Sequence, residues 1–384
     1  MDRVVIVGGG FAGLAAARRL AGAPVDVQLV DRHNFHSFQP LLYQVATVGL
    51  DAAEHALCLY TLDDARWVRN TVLASLERAD REHADSDPLV VVVGGGPTGV
   101  ETTGALTELI DIAIRHDRLR LDRRPGRVVL LDARDRLLPG FAPRASAYAE
   151  KTLRARGVEV RLGTQVASVS RAGVTLADGS KIAAAVVIWV AGVKVEGTLA
   201  SGLAGLRGQN GRRVVEPDLS LAFYPEVFVV GDAAALRSPG GGTEIEGGRS
   251  PSPDGPLVPQ VAQATIQSGD HAARQILNRV SGKETTRFVY HDKGMMATVG
   301  RRAAIAQLRG GAVVRGMPGW LAWLSLHLVY LIGFRNRVVV LVNWAWRYCK
   351  WPAGLRLIVG DVEHRLGGPA LRCPECRRSA PQRP

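Results

Sequence analysis

The sequence predicts an α/β protein: two doubly wound units in tandem, followed by an apolar helical segment toward the C-terminus. Three observations carry this. A β-branched run, a glycine-rich turn and a small-residue helix occur together from Val4 to Leu20. The same arrangement returns from Leu89 to Glu101. A tryptophan-rich apolar stretch then spans Trp320 to Trp351.

The first unit begins with Val4, Val5, Ile6 and Val7, the pattern of a fully buried parallel strand. Gly8, Gly10 and Gly13 follow as G-x-G-x-x-G, and Leu14 to Leu20 continue as a helix. In dinucleotide binding the first glycine allows the tight turn and the second lets the backbone approach a pyrophosphate. The third lets helix and strand pack closely. The helix N-terminus offers unpaired N–H groups and a positive dipole end to the phosphates. A second apolar run ends on Asp31, 23 residues after Gly8, where an acid can accept from ribose hydroxyls.

The second unit repeats the device with Gly94, Gly96 and Gly99 after another β-branched strand. Two Rossmann-like dinucleotide-binding domains in one chain imply two dinucleotides, most simply a flavin and a nicotinamide cofactor. Val128 to Leu131 is the next strand, and Asp132 at its end is the candidate for the second ribose. An acid there disfavours a 2′-phosphate and predicts NADH over NADPH. An antiparallel excursion between Val158 and Val174 leads to a returning strand and a glycine turn at Gly192.

Composition narrows the classes. The 384 residues are 47% hydrophobic and 22% charged, with a formal net charge of +12. That charge fits nucleic acid or an anionic membrane surface. No helix-turn-helix or RNA-binding motif is visible, so membrane is the expectation and nucleic acid is not. Cys58, Cys349, Cys373 and Cys376 form no disulfide framework. The lone Cys373–Cys376 pair lacks the further ligands of a zinc site, and His33 and His36 lack a carboxylate partner, so no metal is expected. Met1 leads directly into the first strand without a secretory signal, which predicts the cytoplasmic side.

At Phe38-Gln39-Pro40-Leu41-Leu42-Tyr43 and Gly94-Gly95-Gly96-Pro97-Thr98-Gly99-Val100-Glu101 the chain resembles the type II NADH:quinone oxidoreductases. The resemblance implies that Gln39, Pro40 and Leu41 lie beside the isoalloxazine ring and that Glu101 lies near nicotinamide and flavin. It implies that Gly231-Asp232 closes the flavin site, with the carboxylate near the ribityl chain. The family's A-Q-x-A-x-Q motif is matched at Ala262 to Gln267, with Thr265 where the pattern has Ala. Gln263 and Gln267, at i and i+4, share a helix face, and their amides can hydrogen-bond quinone carbonyls.

One departure stands out. Gly8 and Gly94 are only 86 residues apart, whereas flavoproteins of this kind use about one and a half times that. The first unit lacks its own excursion and returning A-T-G strand, with the join near Leu50. Losing a parallel strand opens a sheet edge and removes flavin contacts.

At the C-terminus, Trp320 to Phe334 supplies too few apolar residues for a membrane span of about 20. Arg335 and Arg337 interrupt the run before Val338, so an interfacial placement on anionic lipid is expected. A homodimer through this region is compatible with the same surface.

The expected organisation is a discontinuous flavin domain (1–87 and 215–285), a nicotinamide domain (88–214), a membrane-associating region (286–360) and a tail (361–384). The resemblance implies a monotopic flavoprotein on the cytoplasmic face of the membrane. It would pass a hydride from NADH to FAD, and electrons to menaquinone or ubiquinone, without pumping protons. The rivals are an FAD reductase with another acceptor and a membrane-bound NADH-binding remnant that has lost its flavin.

Overall fold

The computed structural model describes residues 1–32, 56–57, 59, 61–82, 90–116, 127–192, 208–237, 257–330, 337–342 and 344. Gln39, Pro40, Leu41, the join near Leu50 and all four cysteines lie outside these residues. The chain divides into two compact units. One holds 1–37 with 193–293, and the other 38–192 with 294–384.

In the first unit β1 (Asp2–Val7) pairs in parallel with β2 (Val25–Val30), from Asp2 opposite Val25 to Val7 opposite Val30. Helix α1 (Phe11–Leu20) lays Ala16 and Leu20 on the Val4, Ile6 and Val27 side of this pair. The face expected to be buried is buried on that side only. Val5, Val7 and Val30 point the other way and are 53%, 54% and 47% exposed. This corrects the expectation of a fully buried first strand. Among the described strands β1 has one neighbour, β2.

The second unit shows what the same residue pattern does when the layers are complete. Strands β3 (Val90–Val93), β4 (Val128–Leu131), β5 (Glu159–Arg161) and β9 (Val186–Trp189) form a parallel sheet in the order β5-β4-β3-β9. Every residue of β3 is 6% exposed or less. Its alternate side chains go to opposite layers, as strand geometry requires. Val90 and Val92 pack with α2 (Leu62–Glu82), α3 (Pro97–His116) and α4 (Pro143–Ala155). Val91 and Val93 pack under the antiparallel sheet of β6 (Val166–Ser170), β7 (Gly173–Leu176) and β8 (Lys181–Ala183).

Helix α2 starts with a reciprocal cap. The Asp64 N–H donates to Thr61 Oγ1 at 3.0 Å, and the Thr61 N–H donates to Asp64 Oδ2 at 2.6 Å. It runs five residues past the Thr61–Glu77 span read from its periodicity. Val68, Val72, Leu73 and Leu76 then enter the core that holds Val90 and Val100. Thus α2, within the 1–87 span expected for the flavin domain, packs in the second unit.

The rest of the first unit is irregular. Here β10 (Arg213–Val214) pairs in parallel with β13 (Ala234–Ala235), and β11 (Ser220–Leu221) pairs antiparallel with β12 (Tyr224–Phe228). Helix α5 (Ala262–Val280) crosses α1 closely, since a Cβ on Gly269 would lie 2.1 Å from the Ala12 carbonyl oxygen. After it, Phe288 fills a core with Leu219, Leu221 and Val258.

In the second unit a three-stranded antiparallel sheet follows: β14 (Gly294–Gly300), β15 (Ala303–Leu308) and β16 (Val313–Arg315). Its Ala297, Val299 and Ile305 join the core around α3. Glu108 on α3 pins the β14–β15 turn. It accepts from the Arg301 N–H and, at 2.5 Å, from Arg156 Nη1. Helix α6 (Gly316–Tyr330) ends the described run, and 337–342 are helical. Among the described residues, no helix is long and apolar enough to cross a membrane.

Candidate functional site

The two glycine turns are built alike, residue for residue. Gly8 and Gly94 have φ of +102° and +118°, a region that favours glycine. Their N–H groups donate to Val30 O and Leu131 O, each at 2.8 Å, tying turn to neighbouring strand. A Cβ on Gly13 would lie 1.9 Å from Gly8 O, and one on Gly99 would lie 1.7 Å from Gly94 O. These four glycines are therefore required by the protein's own backbone.

Gly10 and Gly96 are different. Neither has a positive φ, and a Cβ on either would meet nothing within 4 Å. What glycine provides there is open space at a helix N-terminus, and Gly10 caps α1 without any side-chain hydrogen bond. Two open spaces that a Cβ would partly fill, each at a helix N-terminus, fit the pyrophosphates of dinucleotides.

The two acids do something the sequence reading missed. Asp31 Oδ2 accepts from the Gly9 N–H, and Asp132 Oδ2 accepts from the Gly95 N–H at 2.5 Å. Asp132 Oδ1 also accepts from the Arg134 N–H at 2.7 Å. Each acid thus fixes its glycine loop from the end of the next strand. The Gly192 turn passes directly over Gly94, where a Cβ would lie 2.8 Å from the Ala191 nitrogen.

Glu101 sits on α3, just beyond the second cradle. Its Oε1 accepts from the Thr298 N–H of β14 at 3.0 Å. Burial pushes its carboxyl up from 4.5 to about 8, against the lowering effect of that single hydrogen bond. At neutral pH it is a protonated acid with one oxygen fixed by the backbone.

Around Asp232, α5 forms a rack. Gly231 has φ +66°, its N–H donates to Ser268 Oγ at 2.9 Å, and Ser268 Oγ donates to Thr265 O at 2.9 Å. Thr265 Oγ1 donates to Asp232 Oδ1 at 3.1 Å, and Gln260 Nε2 donates to the Asp232 carbonyl at 3.1 Å. The buried Arg212 donates to Ala234 O and Val258 O at 2.8 and 3.0 Å. Burial lowers its pKa, and the attraction of Asp232 opposes that.

Gln263 and Gln267 do share a face of α5, and the structure gives both amides backbone partners. Gln267 clamps His291, donating to its carbonyl at 2.9 Å and accepting from its N–H at 3.0 Å. Gln263 Oε1 accepts from the Lys293 N–H at 3.1 Å. They act here as a template for the 291–293 segment, a role that spacing alone did not signal. Among the described residues no cluster of three metal-ligating side chains is present.

These features define the class. The model for pyridine nucleotide-disulphide oxidoreductases matches residues 2–73 and 59–269, and that for the NDH2 C-terminal domain matches 292–349. The chain is 34% identical to the type II NADH:quinone oxidoreductase Ndh of Mycobacterium tuberculosis, covering 89% of this chain and 87% of that one. Identity to NdhA of the same organism is 33%, covering 89% and 86%. In fold it is similar to NDH2 from Plasmodium falciparum, solved with NADH, at a TM-score of 0.79. Identity there is 14%, over 94% of this chain and 100% of that one. The chain belongs to the type II NADH:quinone oxidoreductase family.

The comparison with Ndh also bears on the short first unit. The alignment runs over 425 positions yet covers 89% of a 384-residue chain, so it opens long gaps in this chain. The first family model is matched in two pieces that meet at 59–73, beside the stretch where spacing placed the missing block.

Proposed function

We propose that this chain is a single-chain NADH:quinone oxidoreductase that holds FAD on the Gly8–Gly13 turn and NADH on the Gly94–Gly99 turn. The observation that carries this is the duplicated cradle, with its required glycines, its spacious glycine and its strand-end acid in each copy. FAD supplies two-electron acceptance from a hydride donor and delivery of electrons to a quinone. The protein's share is placement. Asp31 and Asp132 fix the loops, the α1 and α3 N-termini would hold the phosphates, and Asp232 would offer its carboxylate to ribityl hydroxyls. Glu101 holds a proton at neutral pH and can donate a hydrogen bond without bringing a charge into an apolar site.

The acceptor would be a menaquinone or ubiquinone drawn from the membrane, and no proton pumping is assigned. The lipid surface would meet α6 and 337–342. Met317, Leu321, Leu326, Val329 and Tyr330 on α6, and Val338, Val339, Leu341 and Val342 beyond it, are exposed apolar side chains. Arg337 and Arg315 flank them and suit anionic headgroups. Placement on the cytoplasmic face, and a homodimer through this region, belong to the same reading.

The bare face of β1 favours a second reading, in which the short first unit no longer retains flavin and the chain is an NADH-binding remnant. The visible spectrum of purified protein, with flavin released by denaturation and counted, separates the two. We expect near one flavin per chain. A colourless chain that stays so after adding FAD would sink the oxidoreductase reading.

A further inference from the structure

We infer that Thr265 is a positioning residue for Asp232, and that its hydroxyl aims this carboxylate at a polyol chain bound above the Gly231 turn. The inference rests on the flavin reading of Asp232 and goes beyond it, because the family's motif has Ala at this position.

The geometry leaves Thr265 little choice. Threonine in a helix divides between two χ1 rotamers, and the contacts of its two branches select one here. One branch is the methyl, which lies against Gly231: a Cβ there would be 2.9 Å from Thr265 Cγ2. The other is Oγ1, which donates to Asp232 Oδ1 at 3.1 Å. A helical threonine commonly turns its hydroxyl back to the carbonyl four residues earlier. Here the Val261 carbonyl takes the Thr265 backbone N–H at 3.0 Å, while the hydroxyl serves the aspartate.

The rest of the turn is fixed independently. Ser268 holds the Gly231 N–H and Gln260 holds the Asp232 carbonyl. The backbone position of Asp232 is thus set without Thr265, and what Thr265 adds is the direction of the carboxylate. With Oδ1 engaged, Oδ2 carries no hydrogen bond among the described residues and is the oxygen that can accept from a ligand hydroxyl. A hydrogen bond to a charged acceptor is among the stronger ones a protein makes, so losing it should be measurable.

The test is a double-mutant cycle on the full-length protein, read by FAD affinity from flavin fluorescence quenching during reconstitution of the flavin-stripped protein. The variants are T265V, which keeps the shape but not the hydroxyl, T265S, which keeps the hydroxyl, D232N and T265V/D232N. The thermal unfolding midpoint and far-ultraviolet circular dichroism, measured alongside, confirm that each variant is folded. We expect T265V to weaken FAD roughly ten-fold, T265S to restore it to near wild type, and T265V to add nothing in the D232N background. If D232N loses FAD while T265V binds as wild type, the positioning role is wrong and the flavin reading of Asp232 stands. Independent, multiplying effects of the two changes would likewise overturn it. If D232N itself binds FAD normally, the flavin reading of Asp232 fails and the positioning role with it.

Discussion

Glu101 ties a single carboxyl to both stability and chemistry. Its folded-state pKa lies near 8 against 4.5 in its ordinary state. Between these values the folded chain holds a proton that the unfolded chain has released. The contribution of this carboxyl to stability is therefore greatest below about pH 4.5 and falls through the window, by up to about 1.4 kcal/mol per pH unit, then levels above 8. Glu101→Gln removes this slope, so its Tm should gain on wild type from pH 5 to 8.5 in a thermal scan. Equal differences at both ends would show that Glu101 ionises normally. The glycines divide just as sharply. Gly99→Ala places a Cβ on the Gly94 carbonyl and should fold poorly. Gly96→Ala meets no protein atom. It should keep the wild-type Tm yet lose at least ten-fold in NADH affinity, the decisive measurement being a fluorescence titration with NADH. All of these glycines were legible from spacing. Thr265 was legible only as a departure from a motif, because the bond it makes joins residues 33 apart through an irregular turn.

Among elements, α6 shows where periodicity misleads. Its tryptophan-rich run is expected at the lipid interface, yet Trp320 and Trp323 are 8% and 1% exposed and pack on Ala304 of β15. Leu321, Leu326, Val329 and Tyr330 carry the outward face, with Val329 at 63% exposure. Large aromatic surface is more valuable in a core than at an interface when a sheet lies beneath it. Sequence sees only that the helix is apolar all round. If that outward face meets lipid, Leu321→Glu with Val329→Glu should abolish co-sedimentation with anionic vesicles and leave the Tm within a degree or two. Retained binding would move the membrane surface elsewhere. Helix α5 carries the same lesson in polar form. Gln263 and Gln267 face one neighbour while Thr265 and Ser268 face another, so a helix that looks amphipathic serves two backbone segments at once.

At the scale of the whole molecule, the two units of one chain reached different degrees of completion from nearly the same sequence device. The second was readable almost element by element: strand, cradle, helix, strand-end acid, antiparallel excursion, returning strand. The first was readable up to Asp31, and its shortening was visible in the interval between glycines. Which layer that shortening would strip was not visible, because burial is decided by neighbours distant in the chain. Val4 to Val7 and Val90 to Val93 are close to identical in composition, and one is half in solvent while the other is sealed.

That contrast gives the protein its own internal clock. Amides in β3, bonded on both sides, can exchange hydrogen for deuterium only when the second unit opens as a whole. Those of β1 that point away from β2 have no such protection and should label within the first seconds of a mass-spectrometric time course. FAD addition should slow the β1 amides and leave those of β3 untouched. Equal protection of both peptides in the flavin-free chain would mean that a segment outside the described strands pairs with β1.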